Sequence, residues 1–516
     1  MAADVVALTA QGRLRGARDG PALRFLGIPF AESPVTAGRF AAPAAPGRWD
    51  GIRDALSYGA TSPQPDRGVT LIPEPIIAGD NELNLNVFTP DLGPARLPVL
   101  VWIHGGGFFG GGNASPWYRG GPFARDGVVL VSINYRLGAE GFLEVPGAPA
   151  NRAVRDWVRA LEWVQENIAA FGGDPGRVTI AGQSAGGAAC AALLGVPAAR
   201  GLFRGAACMS GGPALMQTAD GVRAVAARMA GRLGIPALDR TALEQLPAGT
   251  ILAAQEAVTA VGAGTHDVEA LAALLGHGIT LPWAPWPDGD VVTEEPLRAA
   301  ASPRHREIAL LAGATAHEFN MAWIPADWIT ADMAAEGLAR AGVATPLAAA
   351  YLGQAGPRPG AAVGQAVTDR TFRVPAERLA MAKAEAGGSA WTYDFRWAPP
   401  SGPLAGLAFH CLDVPFFFDA LGEPGVAEAA GPAPPGALAA DMHGAMVRFV
   451  TDGAPGWAPH GAGRRPVMVF GEPSGVQGDP LGTELRVWTQ PGGTERARRV
   501  PLRRSGAARP PVVAAG

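Results

Sequence analysis

The sequence predicts an α/β fold with one large, mostly parallel sheet flanked by helices. Three observations carry that expectation. Strand-like and helix-like patterns alternate along the 516 residues, with no polar low-complexity linker between them. The run Pro98-Val99-Leu100-Val101-Trp102-Ile103 is apolar throughout, as suits a strand buried on both faces. Finally, the apolar run at 177–181 passes through Gly182-Gln183-Ser184-Ala185-Gly186 into a small-residue, helix-favouring run at 187–194. Length alone would suggest about three domains. The unbroken alternation argues instead for a single unit over 1–493, followed by an Arg/Pro-rich tail at 494–516. That tail reads as a solvated, poorly ordered terminus. No repeat with a period of 20–50 residues is present.

Taken in chain order, the first chemically suggestive element is the strand at 98–103. It runs directly into His104-Gly105-Gly106-Gly107-Phe108. Successive glycines leave backbone N–H groups unshielded, able to point at an oxygen that becomes negative. A second run, Gly110-Gly111-Gly112, keeps a plain flexible linker in view, but a linker has no reason to sit immediately behind an apolar strand. The second element is the strand–Gly-x-Ser-x-Gly–helix junction, the context of a nucleophile elbow. A serine on so sharp a turn is backbone-strained, and its glycine neighbours avoid Cβ clashes. In a chain with 71 glycines the pattern is cheap. It needs an acid and a histidine downstream to mean chemistry.

Composition removes several other classes. With 48% hydrophobic and 17% charged residues, the chain has an ordinary globular core. A net charge of −4 does not point to nucleic acid. No apolar run approaches the roughly 20 residues needed to cross a bilayer. The start, Met1 to Val6, lacks the basic and apolar regions of a signal peptide, so a cytoplasmic location is expected. The three cysteines, Cys190, Cys208 and Cys411, show no paired spacing and read as free and buried. No His-Glu-x-x-His and no paired cysteine ligands appear, so neither metal nor cofactor is expected.

Further motifs resemble the type B carboxylesterase family, which includes para-nitrobenzyl esterases and cholinesterases. They are Phe25-Leu26-Gly27-Ile28-Pro29-Phe30-Ala31, Asn84-Leu85-Asn86-Val87, Asn134-Tyr135-Arg136-Leu137-Gly138, Phe171-Gly172-Gly173-Asp174-Pro175 and Asp369-Arg370-Thr371-Phe372. The resemblance covers nearly the whole chain, more weakly at 214–280 and 325–365. It implies an α/β-hydrolase fold whose insertions form a gorge or cap, with 214–300 and 320–365 supplying much of it.

The resemblance also implies a serine esterase site. The family's acid follows a strand-ending glycine by five residues; after Gly313 that residue is Glu318. Its histidine precedes an acidic residue and a proline, as His410 precedes Asp413 and Pro415. With Glu318 as acid, His443 and His460 are the other histidines that follow it. The order Ser184, Glu318, His410 is that of such hydrolases. The implied oxyanion donors are the N–H groups of Gly106, Gly107 and Ala185. Phe108, Phe109, Gln183, Phe416 and Phe417 are expected around the substrate, a small apolar or aromatic ester. Amides, carbamates, lactones or thioesters remain alternatives, because acyl transfer is shared chemistry. A non-catalytic, cholinesterase-like binding protein is a further alternative that retention of all three residues argues against. Oligomeric state is not readable.

Three departures stand out. Gln183 replaces the family's usual glutamate, removing a charge that would favour protonated His410 and cationic substrates. Ser62 and Glu82 occupy the positions of a common loop disulfide, so the loop between them is expected to be held by packing alone. Between Asn151 and Asp156 the chain reads Arg152-Ala153-Val154-Arg155, a change the sequence does not explain.

Overall fold

The computed structural model describes residues 5–68, 70–260, 267–461 and 463–488. The proposed tail at 494–516 lies outside them. A thirteen-stranded sheet forms the centre. Strands Val5–Leu8, Arg13–Asp19, Ala22–Pro29 and Asn84–Thr89 make an antiparallel flank. From Val129–Ile133 the order continues through Leu97–Ile103, Gly173–Gln183, Gly205–Met209, Ala309–Thr315, Ala390–Phe395 and Pro466–Phe470, with every neighbour parallel.

The apolar strands split their side chains by alternation. Val99, Val101 and Ile103 join one core cluster, while Leu100 and Trp102 join another. Helices Arg152–Asn167 and Ala185–Leu193 cover the first cluster, through Trp157, Leu161 and Cys190 among others. Helix Gly436–Asp452 covers the second through Met442, Met446 and Phe449. Full burial on both faces explains why these strands read as continuous apolar runs.

Insertions after Gly205–Met209 and after Ala309–Thr315 are helical. Helices Val268–His277, Ala331–Arg340, Thr345–Ala355 and Pro359–Thr368 share a third, smaller core around Leu275, Leu338, Leu347 and Val363. The parallel strands end in register: Ile103 pairs with Gly182, Gln183 with Met209, and Met209 with Gly313. That alignment gathers the loops carrying the candidate residues at one edge of the sheet, the usual ligand edge of a parallel α/β architecture.

Candidate active site

Ser184 sits where strand Gly173–Gln183 turns into helix Ala185–Leu193, at φ 59° and ψ −122°. A non-glycine residue in that region costs on the order of 1–3 kcal/mol and persists only where its surroundings enforce it. Here the Ser184 N–H donates to the Met209 carbonyl at 2.8 Å. A Cβ at Gly186 would stand 2.0 Å from the Ile103 oxygen, and one at Gly182 2.4 Å from the Gly186 carbonyl carbon. Both glycines are therefore demanded by backbone-to-backbone contact. Ser184 is half-exposed between buried neighbours, at the positive end of the helix it caps.

The glycine loop lies beside it. A Cβ at Gly106 would meet the Gly110 oxygen at 2.1 Å, and Gly106 and Gly107 have φ of 101° and 64°. The loop is fastened by Gln64, whose amide nitrogen donates to the Gly111 carbonyl at 2.8 Å and whose amide oxygen accepts from the Gly111 N–H at 2.8 Å. His104 stacks on Tyr135 with centroids 4.4 Å apart, and burial pushes its imidazole down to about 4. It is a neutral scaffold residue. Among the described residues, the N–H groups of Gly106, Gly107 and Ala185 donate to no acceptor.

Glu318 and His410 come from different loops and meet directly. His410 Nδ1 contacts Glu318 Oε2 in a short hydrogen bond, with the two side chains 4% and 0% exposed. Backbone bonds fix the pair: the Thr315 N–H donates to Glu318 Oε1 at 2.8 Å, and the His410 N–H donates to the Glu318 carbonyl at 2.9 Å. His317 fastens the same junction, its N–H donating to the Ala408 carbonyl and its Nδ1 accepting from the Ala408 N–H, both at 2.9 Å. Burial works against a charged His410. The groups around it, Cys411 first and Glu318 next, outweigh that and hold its pKa well above the ordinary histidine value. We assign the rise to Glu318, because burial raises the Cys411 thiol and keeps it neutral. Nε2 of His410 lies 3.3 Å from the amide nitrogen of Gln183, the residue before Ser184. The Gln183 amide oxygen accepts from Cys411 Sγ at 3.3 Å.

The other two histidines are committed elsewhere. His443 bonds the Phe417 carbonyl through Nδ1 and Asp126 through Nε2. His460 bonds Thr392 at 2.9 Å.

The expected aromatic surroundings need correction. Phe108 is fully buried, packed against Phe142 and Trp157, because its positive φ of 63° turns the ring down into the core. Phe416 and Phe417 are also core residues, against Trp397 and Tyr393. Phe109 alone of these phenylalanines stays half-exposed, under the Arg67 guanidinium at 5.4 Å. The rings that flank His410 are Phe319 and Phe372, with centroids at 4.5 and 5.3 Å. Sequence reasoning missed both. Phe319 follows the acid directly, and Phe372 lies in the π-helical turn Asp369–Arg373, a feature common at functional sites.

The departures also resolve. The loop after Ser62 is held by hydrogen bonds as well as packing: Ser62 Oγ donates to the Tyr135 carbonyl, Asn81 to the Ala31 carbonyl at 3.1 Å, and Arg67 pairs with Glu74. Those polar side chains do the joining expected of packing alone. Arg152 is wholly buried and donates to the carbonyls of Ala139, Glu140, Leu143 and Pro149. Arg155 pairs with Asp290. The altered residues at 152–155 thus tie the start of helix Arg152–Asn167 to the preceding loop and to the insertion.

The profile of the carboxylesterase family matches residues 3–468. The chain belongs to that family. It is 34% identical over 423 residues to the para-nitrobenzyl esterase of Bacillus subtilis, covering 80% of this chain and 82% of that one. It is 31% identical to the fumonisin B1 esterase of Sphingopyxis macrogoltabida, over 94% and 89% of the two chains. A solved carboxylesterase of Geobacillus stearothermophilus superposes with a TM-score of 0.81 at 34% identity, over 94% of this chain and 99% of that one. The α/β-hydrolase fold and serine esterase activity, a carboxylic ester hydrolysis, are those of this family of hydrolases. In this carboxylesterase no described helix is long and apolar enough to cross a membrane.

Proposed function

We propose that this carboxylesterase cleaves small esters with apolar or aromatic groups, using Ser184 as nucleophile, His410 as base and Glu318 as the group that orients it. His410 Nε2 takes the Ser184 Oγ proton as Oγ bonds to the acyl carbon. The N–H groups of Gly106, Gly107 and Ala185 hold the oxygen that becomes negative. The intermediate collapses, the alcohol leaves with the proton from His410, and the acyl group stays on Ser184. Water then attacks by the same route and frees the acid. Glu318 stabilises the imidazolium in each half.

The observation that carries this reading is the coincidence of a strained, half-exposed Ser184 with three backbone donors that have no acceptor among the described residues. Phe109, Phe319 and Phe372 favour apolar or aromatic substituents, and Gln183 offers no anionic partner for a cationic one. The segments 214–300 and 320–365 serve as much of a cap, and Phe319 and Phe372, which flank the second of them, lie against His410. The names of the relatives, para-nitrobenzyl esterase among them, agree with aromatic esters. Hydrolysis of para-nitrophenyl esters by wild type and Ser184→Ala tests the reading. Loss of about 10⁴-fold or more in kcat, with fluorophosphonate labelling confined to Ser184, is expected. Undiminished turnover by Ser184→Ala would remove the serine from the chemistry.

A further inference from the structure

The opposite edge of the sheet carries a second candidate site. A cavity of about 330 Å³ opens toward the amino ends of three adjacent parallel strands, lined by Pro175 and Val178 in the first part of Gly173–Gln183 and by Arg204 and Ile308 immediately before the other two. Ser184 and Glu318 leave the carboxyl ends of two of those strands. Val178 and Ser184 are six residues apart on one extended strand, roughly 20 Å. The cavity is therefore separate from the ester site.

Its lining is strongly basic for a chain of net charge −4. Three guanidinium groups, Arg200, Arg204 and Arg304, face it, against one carboxylate, Glu307, which is exposed. Arg204 Nε is buried without an acceptor, although its Nη2 donates to the Val450 and Thr451 carbonyls. Arg304 uses Nη2 on Glu294 and Nε on Ser302. The Arg200 N–H donates to the Pro197 carbonyl, while its guanidinium has no acceptor among the described residues. The cations crowd one another: burial first, then the neighbouring Arg177, lowers the Arg204 pKa, and burial followed by Arg200 and Lys383 lowers that of His305. Lys383, the chain's single lysine, donates to the His305 carbonyl immediately behind the cavity wall. Asp174 and Asp452 offset part of this at Arg204 and Glu294 part of it at His305, yet the exposed guanidinium groups of Arg200 and Arg304 keep donors free for an anion.

We infer that this cavity binds a multiply charged phosphoryl oxyanion, held by guanidinium hydrogen bonds from Arg200 and Arg304, with Arg204 adding positive charge to the wall. Guanidinium matches the geometry of phosphate oxygens, and paired charged bonds of this kind are the strong ones. Since a ligand bound only by the folded state stabilises it, the site acts as a stabilising anion clamp across three core strands.

Thermal unfolding of the full chain, titrated with inorganic pyrophosphate against sodium chloride of equal ionic strength, tests the proposal. A saturable rise in Tm beyond the salt control is expected. Arg200→Ala and Arg304→Ala, both exposed positions, should each weaken the apparent Kd about tenfold or more. Phenyl phosphate in a parallel titration separates an organic monoester from the free inorganic ion as ligand: whichever binds more tightly names the source. Pyrophosphate should leave the KM for a para-nitrophenyl ester unchanged. No rise beyond the salt control, a rise retained in the Arg200→Ala/Arg304→Ala double variant, or competition with the ester would each overturn the inference. None of these outcomes depends on Ser184.

Discussion

The elbow and glycine loop are built from backbone touching backbone, whereas the acid–base pair is built from side chains meeting across loops. At Gly105, Gly106, Gly111, Gly182 and Gly186 the decisive contacts are backbone carbonyl groups standing where any Cβ would have to go. At 318 and 410 they are a carboxylate on an imidazole, two backbone bonds and two flanking phenylalanines. The difference teaches where each half is vulnerable. The first tolerates no added atom and has little chemistry to retune. The second tolerates atoms of similar shape but depends on charge. Substitutions that add bulk without charge, or remove charge without bulk, should therefore separate the two.

Glu318→Gln removes charge and keeps shape. It should lower kcat about 10²–10⁴-fold, by loss of imidazolium stabilisation and of the preferred tautomer, with little change in KM. Steady-state kinetics on a short aryl ester reads this directly. A loss below tenfold would mean that burial and backbone bonds alone orient His410. Gly106→Ala adds one carbon where the Gly110 oxygen stands 2.1 Å away, at a φ of 101°. Displacing the loop should cost about 10²–10³-fold in kcat while fluorophosphonate still labels Ser184, because the proposed nucleophile is untouched. Equal losses in labelling and turnover would show that loop and elbow move as one body.

How much of each half was legible follows from the same contrast. Backbone sterics is written into local sequence: Gly182, Gly186 and the 105–107 glycines announce themselves because no other residue fits. The acid–base pair lies 92 residues apart in the chain, and its members carry no local signature. Glu318 and His410 come from family resemblance; the residues alone leave His443 and His460 beside His410, and those two have hydrogen bonds of their own elsewhere in the structure. The aromatic lining was the least legible part. Phe108, Phe416 and Phe417 sit next to candidate residues in sequence, yet backbone direction sends them into the core. Phe319 and Phe372 lie 53 residues apart in the chain, and the packing of the insertion brings both against His410. Parallel strands were plain because burial on both faces erases polar alternation.

Gln183 lies between the two halves, fixed by the elbow and bonded to the base. In the proposed mechanism His410 must be neutral to accept the Ser184 proton, so its raised pKa should place the acidic limb of kcat/KM above the ordinary histidine range. Gln183→Glu puts a carboxylate against Nε2 and stabilises the imidazolium further. The acidic limb should rise by about one pH unit, with activity reduced below the new midpoint and recovered above it. A pH–rate profile with an unmoved limb would separate residue 183 from the titration of His410.

The smallest effect concerns stability. Glu82 is buried where the family often closes a disulfide. Burial, helped by the charges of Glu140 and Asp156 and opposed by its own backbone hydrogen bond and Arg136, raises its pKa to about 7. A carboxyl raised on folding favours the folded state when protonated. That contribution is complete below the unfolded value near 4.3, fades as pH rises, and is gone above about 7. Glu82→Gln keeps the shape and cannot ionise. Its advantage over wild type should therefore be near zero at pH 4.5 and grow to about 1–3 kcal/mol by pH 8. Denaturant titrations at the two pH values measure the difference. A constant offset at both would assign the effect to lost hydrogen bonding in the loop, leaving the ionisation of Glu82 without a share in holding it.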